Sequence, residues 1–293
     1  MILLTGAKGF IGKNLKDYIV AKDETLLVCT EREVKSRNDN SLKASLLEYG
    51  IGNVNAQILS QIKVCIHAGS YVKYGSNESD DLSSALESLF FTRNLTNLHM
   101  PNLKKFIFLS SMDVYDKSQE SIREDSKTHA SNIYQAVKLL CEQMIQDVFK
   151  ESKVAIDILR VGHVFGPGDS KYRKALQNMV NAVKAAKPFS LHTSMDQALN
   201  LVYVGDLVRY IFSISQQTEG NGIINLVSSQ RSTVADIIAL IEKLSSSKLV
   251  INKSSSIKSS QFDYPFDNSK LRSTGLFYET PLEDALRQSY FSK

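Results

Sequence analysis

The chain has no tryptophan, five prolines, three cysteines and fourteen glycines in 293 residues. So little proline and glycine excludes collagen-like and low-complexity architectures. Cys29, Cys65 and Cys141 form no close pair and show no metal-ligand spacing, so neither a disulfide framework nor a zinc site is expected. They read as small buried hydrophobes in a reducing compartment. An excess of one charge is missing too: Lys plus Arg number 35 and Asp plus Glu 31, a net charge of +4. That balance points to no nucleic-acid partner. No apolar run approaches the roughly 18 residues of a membrane span. Met1 leads straight into Ile2-Leu3-Leu4 without a basic segment and signal core. The expectation is a cytoplasmic protein with no membrane, nucleic-acid or metal partner.

What remains is an ordinary globular composition, 43% hydrophobic and 23% charged, long enough for one large domain or two smaller ones. Short apolar runs at Ile2 to Thr5, Leu26 to Thr30, Lys63 to His67, Phe106 to Leu109 and Ala155 to Arg160 alternate with helical patterns. Such alternation is how a parallel sheet covered by helices is encoded. Ile11, Leu15, Tyr18 and Ile19 repeat along one face of the first helix. Two later helices are apolar over a wide arc: Leu82, Leu86, Leu89, Phe90 and Leu95 in one, Val137, Leu140, Cys141, Ile145, Val148 and Phe149 in the other. A helix on a sheet needs one apolar stripe, so the surplus predicts a homodimer, with cover by a loop of the same chain as the alternative.

Beyond Gly166 the rhythm loosens. Helices are expected near Tyr172 to Ala186, Asp206 to Ser215 and Val234 to Leu244, and strands at Leu201 to Val204 and Ile223 to Val227. The Ser/Lys-rich stretch Ser245 to Ser260 reads as containing an exposed loop.

Between the first strand and first helix lies Thr5-Gly6-Ala7-Lys8-Gly9-Phe10-Ile11-Gly12. One glycine permits a tight turn, another lets backbone approach a pyrophosphate, and the third lets helix and strand pack closely. The helix amino end favours the anion. The residue that would discriminate NAD from NADP falls at the end of the second strand, on Thr30, followed by Glu31 and Arg32. Thr30 brings no carboxylate to repel a 2′-phosphate, and Arg32 with Lys8 supplies cations for one. NADP is favoured; Glu31 keeps NAD as the alternative.

Tyr134 and Lys138 stand one helical turn apart on the same face. A neighbouring ammonium stabilises phenolate and is expected to lower the phenol pKa. The spacing alone is not selective: Tyr18 and Lys22 share it, with Tyr18 on an apolar face. Ser110-Ser111 follow the buried strand at Phe106 to Leu109, where open α/β sheets bind ligands. Ser111, Tyr134 and Lys138 thus form a constellation for acting on a carbonyl or carbinol.

At these residues the sequence resembles the extended short-chain dehydrogenase/reductases, in the nucleotide-sugar epimerase, dehydratase and reductase branch. The resemblance rests on Thr5 to Gly12, Ile66-His67-Ala68-Gly69, Leu109 to Tyr115, Tyr134 to Lys138, Leu159 to Gly168, Val202 to Asp206 and Asp267 to Lys270. It implies an α/β fold with a Rossmann-type doubly wound parallel sheet and a smaller α/β C-terminal substrate lobe. Residues 1–162 would form the dinucleotide-binding domain, with 204–228 returning to it; 163–203 and 229–293 would form the substrate lobe.

The resemblance also implies roles. Tyr134 exchanges a proton with the substrate oxygen, Lys138 holds the nicotinamide ribose, and Ser111 bonds the reacting oxygen. Gly6, Lys8, Gly9, Phe10, Ile11, Gly12, Thr30, Arg32, Ala68, Lys138 and Val161 are the expected cofactor contacts. Ser111, Met112, His163 and Asn200 are the expected substrate contacts. Asp113 is a candidate extra acid or base, or a turn residue, and His67 reads as structural. Two departures concern the substrate. The family's diphosphate-holding arginines would fall on Leu199 and near Lys258, and neither position is Arg. Arg173, Lys174, Lys184 and Lys187 are the cations that would have to compensate.

The expectation is an NADP-dependent reductase of a sugar-type carbonyl, on a nucleotide-linked 4-keto sugar. A nucleotide-sugar 4-epimerase that retains NAD is the alternative. A non-catalytic dinucleotide sensor on the same fold ranks third.

Overall fold

The computed structural model describes residues 1–30, 37–39, 46–50, 54–70, 82–169, 175–258 and 266–292. The amino-terminal part runs β1 (Ile2–Thr5), α1 (Phe10–Ala21), β2 (Leu26–Thr30), β3 (Arg37–Asp39), β4 (Leu46–Gly50), α2 (Ala56–Leu59) and β5 (Val64–His67). It continues through α3 (Leu82–Thr96), β6 (Lys105–Ser111), α4 (Ile133–Phe149) and β7 (Ala155–Val161). Next come β8 (His163–Phe165), α5 (Ala175–Lys184), β9 (Phe189–Thr193), β10 (Ala198–Leu199), β11 (Leu201–Tyr203), α6 (Val204–Ser215) and β12 (Gly222–Leu226). The chain closes with β13 (Ser232–Thr233), α7 (Val234–Ser245), β14 (Ile251–Lys258), α8 (Ser269–Ser273) and α9 (Leu282–Leu286).

One sheet has the order β12-β7-β6-β5-β1-β2-β4-β3. Every neighbouring pair is parallel except β3 with β4. The chain moves outward from β1 through β2 to β4, then returns beside β1 as β5 and moves outward the other way. The order therefore reverses between β1 and β5, and ligands of open α/β sheets bind at the carboxyl ends of strands there.

Side chains of a strand alternate between faces, and β1 shows it. Leu4 packs with Leu15 and Ile19 of α1 and Leu207, Ile211 and Ile214 of α6. Leu3 packs with Leu95 of α3 and Val137, Cys141 and Ile145 of α4. A separate core joins Phe165, Val180 of α5, Ile237 and Ile241 of α7, Leu286 and Tyr290. All three cysteines are free and buried. Tyr18 packs edge-on against Phe212 at 5.6 Å between ring centroids, partly buried against the core, which accounts for it without chemistry. Among the described residues, no helix is long and apolar enough to cross a membrane and no cluster of metal-ligating side chains is present.

Several boundaries differ from the expectation. The Ser/Lys-rich stretch after Ser245 contains a loop, as expected, but it also holds a strand that was not expected: Ile251–Lys258 pairs in parallel with β9 as β14. Backbone hydrogen bonding is indifferent to polar side chains, so composition hid the strand. Val204 opens α6 instead of ending β11. Helix α5 is described from Ala175; residues 170–174 lie outside the described residues.

His67, at the end of β5, is fully buried. Its Nδ1 shares a 2.7 Å hydrogen bond with Thr5 Oγ1, and its Nε2 a 2.9 Å bond with Thr92 Oγ1. Burial lowers its pKa from 6.5 to about 3, with the Lys138 charge adding to the effect. Between those values the unfolded chain binds a proton that the folded chain refuses, so stability rises with pH across that window and is complete above it. From pH 7 down to pH 4 this single group should remove about 3 kcal/mol. Chemical denaturation at the two pH values should show that loss in the wild type and a much smaller one in His67→Gln. Equal losses in the two proteins would remove His67 as the cause.

Candidate active site

At the reversal point Gly6 adopts a φ of +73°, a region L side chains rarely enter. A Cβ on Gly6 would lie 2.5 Å from the carbonyl carbon and oxygen of Ala68 and from the Gly69 nitrogen. A Cβ on Gly12 would lie 2.0 Å from the Gly6 oxygen. These contacts pack the loop against both strand ends and α1 against the loop. Thr5 Oγ1 accepts a bond from Gly69 N at 3.2 Å, which clips the ends of β1 and β5 together.

Helix α1 starts at Gly9 with no side-chain cap and no acidic residue in its first turn. Its amino end thus keeps a partial positive charge for an anion, and the loop fits a dinucleotide pyrophosphate. Phe10 is buried in the core and Ile11, partly buried, packs against it. Lys8 is exposed beside the loop. Thr30 ends β2. Glu31 and Arg32 lie outside the described residues.

The Ser111, Tyr134 and Lys138 side chains converge from β6 and α4. Asn132 caps α4 by accepting from Gln135 N at 3.0 Å, and Gln135 Oε1 accepts from Ser131 N at 2.6 Å. The Asn132 cap, with Gln135 holding the preceding Ser131, starts the helix just before Tyr134 and fixes it in the first turn. Tyr134, Lys138 and Glu142 then follow at four-residue intervals on one face. Ser111 ends β6, caps the short 3₁₀ turn Met112–Val114 by accepting from Asp113 N at 3.2 Å, and also hydrogen-bonds the Tyr134 phenol. Its cap and its contact with Tyr134 coexist. In register, Ser111 pairs with Val161, and Val161 with Leu226.

The structure reverses one expectation. Burial pushes the Tyr134 phenol up to about 12, Ser111 pulls it down in part, and Asp113 pushes it further up. The ammonium of Lys138 lies 5.8 Å from the Tyr134 ring centroid and donates to the Leu109 carbonyl at 2.7 Å. Loss of solvent around the phenol therefore outweighs the Ser111 hydrogen bond that opposes it. Burial also lowers Lys138 to about 8, opposed by Cys141 and Glu142. Asp113 is partly exposed and forms a 3.0 Å ion pair with Lys117.

Met112, His163 and Asn200 line a cavity of about 560 Å³ that begins next to Ser111. Arg231 and Arg272 line the same cavity. Sequence reasoning missed both; the available signal was that Arg231 follows closely on the carboxyl end of β12. Of the four cations named instead, Lys184 and Lys187 are described, and neither lines this cavity. Lys184 Nζ donates to the Tyr290 carbonyl and lies 5.1 Å from the Phe291 ring centroid, so it ties α5 to the C-terminal turn. Lys187 is exposed and not among the cavity residues. Arg173 and Lys174 lie outside the described residues.

A reversal-point glycine loop and a Ser/Tyr/Lys cluster at the adjoining strand end define an NAD(P)-binding enzyme of the extended short-chain dehydrogenase/reductase type. The chain belongs to the NAD dependent epimerase/dehydratase family, whose model matches residues 2–226. It is 24% identical over 250 residues to the dTDP-D-glucose 4,6-dehydratase of Dictyostelium discoideum, covering 77% of this chain and 57% of that protein. It is 25% identical over 309 residues to a Bacillus subtilis protein described as the uncharacterized UDP-glucose epimerase YtcB, covering 97% and 95%. The UDP-glucuronic acid 4-epimerase of Bacillus cereus, solved with UDP-glucuronic acid and NAD, superposes with a TM-score of 0.78 at 21% identity, covering 99% of this chain and 98% of that one.

Proposed function

We propose that this enzyme is an NADP-dependent reductase of a carbonyl on a nucleotide-linked sugar, a 4-keto sugar. The observation that carries the reading is the cluster at the carboxyl end of β6, in which Ser111 hydrogen-bonds the Tyr134 phenol and the Lys138 ammonium lies 5.8 Å from the Tyr134 ring centroid; burial raises the phenol to about 12. Well below that value the phenol keeps its proton, the form needed to protonate a carbonyl oxygen as it becomes an alcohol. Ser111 orients that oxygen, and the Lys138 ammonium, anchored on Leu109, supplies positive charge beside the phenolate left behind.

The backbone at Gly6, Gly9 and Gly12 would hold the cofactor pyrophosphate. Ala68, Lys138 and Val161 would line the nicotinamide end, and Lys8, Thr30 and Arg32 the 2′-phosphate end. When bound there, the reduced nicotinamide supplies hydride to the carbonyl carbon. Met112, His163 and Asn200 would contact the sugar nucleotide, and Asp113 would serve as an additional acid or base. In this reading residues 1–162 and 204–228 carry the cofactor, and 163–203 with 229–293 carry the substrate. The exposed Leu86 and Phe90 of α3 and Leu140 of α4 support a homodimer through these two neighbouring helices. The compartment proposed is the cytoplasm.

A second reading, an epimerase that retains NAD, is favoured by Glu31 after β2 and by the epimerases among the relatives and solved structures above. Assaying cofactor released from denatured purified protein separates the two. The reductase should release no stoichiometric NAD and bind NADPH more tightly than NADH. Release of about one NAD per chain would overturn the reductase and establish the epimerase requirement.

A further inference from the structure

We propose that Thr5 and His67 are positioning residues for the dinucleotide, holding Gly69 against the glycine loop through one directional hydrogen-bonded chain. The inference rests on the reading that the loop from Gly6 to Gly12 takes the cofactor pyrophosphate, and it applies to NADP and NAD alike. Gly69 N donates to Thr5 Oγ1 at 3.2 Å, and Thr5 Oγ1 lies 2.7 Å from His67 Nδ1. Across the ring, His67 Nε2 lies 2.9 Å from Thr92 Oγ1 of α3. Thr92 Oγ1 donates to the Ser88 carbonyl at 2.9 Å and lies 3.4 Å from Cys141 Sγ of α4. Thr5, His67, Thr92 and Cys141 are all fully buried, so these bonds do not compete with bulk water.

Hydroxyl valence fixes the direction of the chain. Thr92 has one hydroxyl hydrogen, which goes to the Ser88 carbonyl, so its oxygen accepts from the ring. His67 therefore carries its proton on Nε2, and Nδ1 accepts the Thr5 hydrogen. The opposite tautomer would leave the Thr5 hydrogen with no acceptor among the described residues and would draw the Thr92 hydrogen away from Ser88. Burial holds the ring neutral above a pKa of about 3, so a single tautomer persists at neutral pH. Burial also raises the Cys141 thiol, which keeps its hydrogen and donates it to the Thr92 oxygen.

The Gly69 backbone is what the chain positions. A Cβ on Gly69 would lie 2.9 Å from the Gly6 nitrogen and 3.2 Å from the Gly6 Cα, so the two glycines meet backbone to backbone. At that spacing a displaced Gly69 displaces Gly6, and with it the turn that opens α1. Ser88 Oγ donates to Ser70 Oγ at 3.3 Å, a second tie from α3 to the residues after β5. At the far end, Cys141 follows Lys138 by less than one turn of α4. The chain thus joins the pyrophosphate end of the cofactor site to the helix turn that carries Lys138.

Proton–nitrogen correlation spectra of the wild-type imidazole test the direction, and NADPH titrations of Thr5→Val, Thr5→Ser and His67→Gln test the positioning. At pH 7 the His67 ring should be protonated on Nε2 and bare on Nδ1. A ring protonated on Nδ1 overturns the chain, whether or not any variant folds. Thr5→Val and His67→Gln, each folded by circular dichroism, should bind NADPH about tenfold more weakly. Thr5→Ser restores the hydroxyl and should stay within about twofold of the wild type. A folded Thr5→Val protein with wild-type NADPH affinity, or equal weakening in Thr5→Ser and Thr5→Val, overturns the positioning role and leaves the reductase standing. A wild type that binds neither NADPH nor NADH overturns the glycine-loop reading, and this inference with it.

Discussion

Tyr134→Phe should lower turnover by about three orders of magnitude, within the range that a positioned general acid contributes. The substitution removes one oxygen from a largely desolvated phenol that Ser111 contacts. The ring itself remains, and the Lys138 ammonium keeps its 2.7 Å anchor on the Leu109 carbonyl. Cofactor and nucleoside-diphosphate affinities should therefore change by less than about threefold, so the loss falls on kcat. Ser111→Ala should be milder, because the phenol keeps its proton and loses one orienting partner. Near-wild-type turnover in Tyr134→Phe would falsify its role as proton donor.

Arg160→Met should destabilise the fold by about 3–5 kcal/mol, because it leaves a buried carboxylate without its countercharge. Arg160 Nη2 donates to Glu142 Oε2 at 2.7 Å and its Nε to Oε1 at 3.1 Å. The pair is almost wholly buried, at 5% and 3% side-chain exposure. Ser110 Oγ donates to the same carboxylate, the Glu124 carbonyl accepts from Arg160 Nη1 at 3.2 Å, and the guanidinium carbon lies 4.6 Å from the Tyr115 ring centroid.

Glu142 stands one turn beyond Lys138, so this pair also fixes α4 against β6 and β7. Glu142→Leu should cost stability as well, and should lower the Lys138 pKa below about 8, since Glu142 now raises it. The double variant should be more stable than Arg160→Met alone, because no buried charge is then left unpaired. Denaturant titration of the four proteins measures this. Simply additive losses would contradict a coupled pair.

The sheet, its direction and the helices that cover it were legible because their signals are local. Apolar runs of four or five residues, glycine spacing and 3.6-residue periodicity survive without knowledge of the partner. Ser111 after a buried strand and Tyr134 with Lys138 on one helix face were also local signals, and the fold brings Ser111 to the Tyr134 phenol. Strand β14 was not legible, because pairing with β9 lies in the backbone and not in Ser and Lys side chains.

The direction of the Tyr134 shift was missed for a related reason. Sequence spacing places Lys138 one turn away but says nothing of the desolvation that dominates the phenol. The two cavity arginines were hidden by distance along the chain. Arg231 and Arg272 are 41 positions apart, and the fold brings them to the cavity that also holds Met112.

The most direct test of the account mixes the purified protein with NADPH and a nucleotide-linked 4-keto sugar and follows reduced-nicotinamide absorbance against product. The account predicts one NADPH consumed for each sugar alcohol formed, with the reaction lost in Tyr134→Phe. Interconversion of sugar epimers with no net NADPH consumption would contradict it.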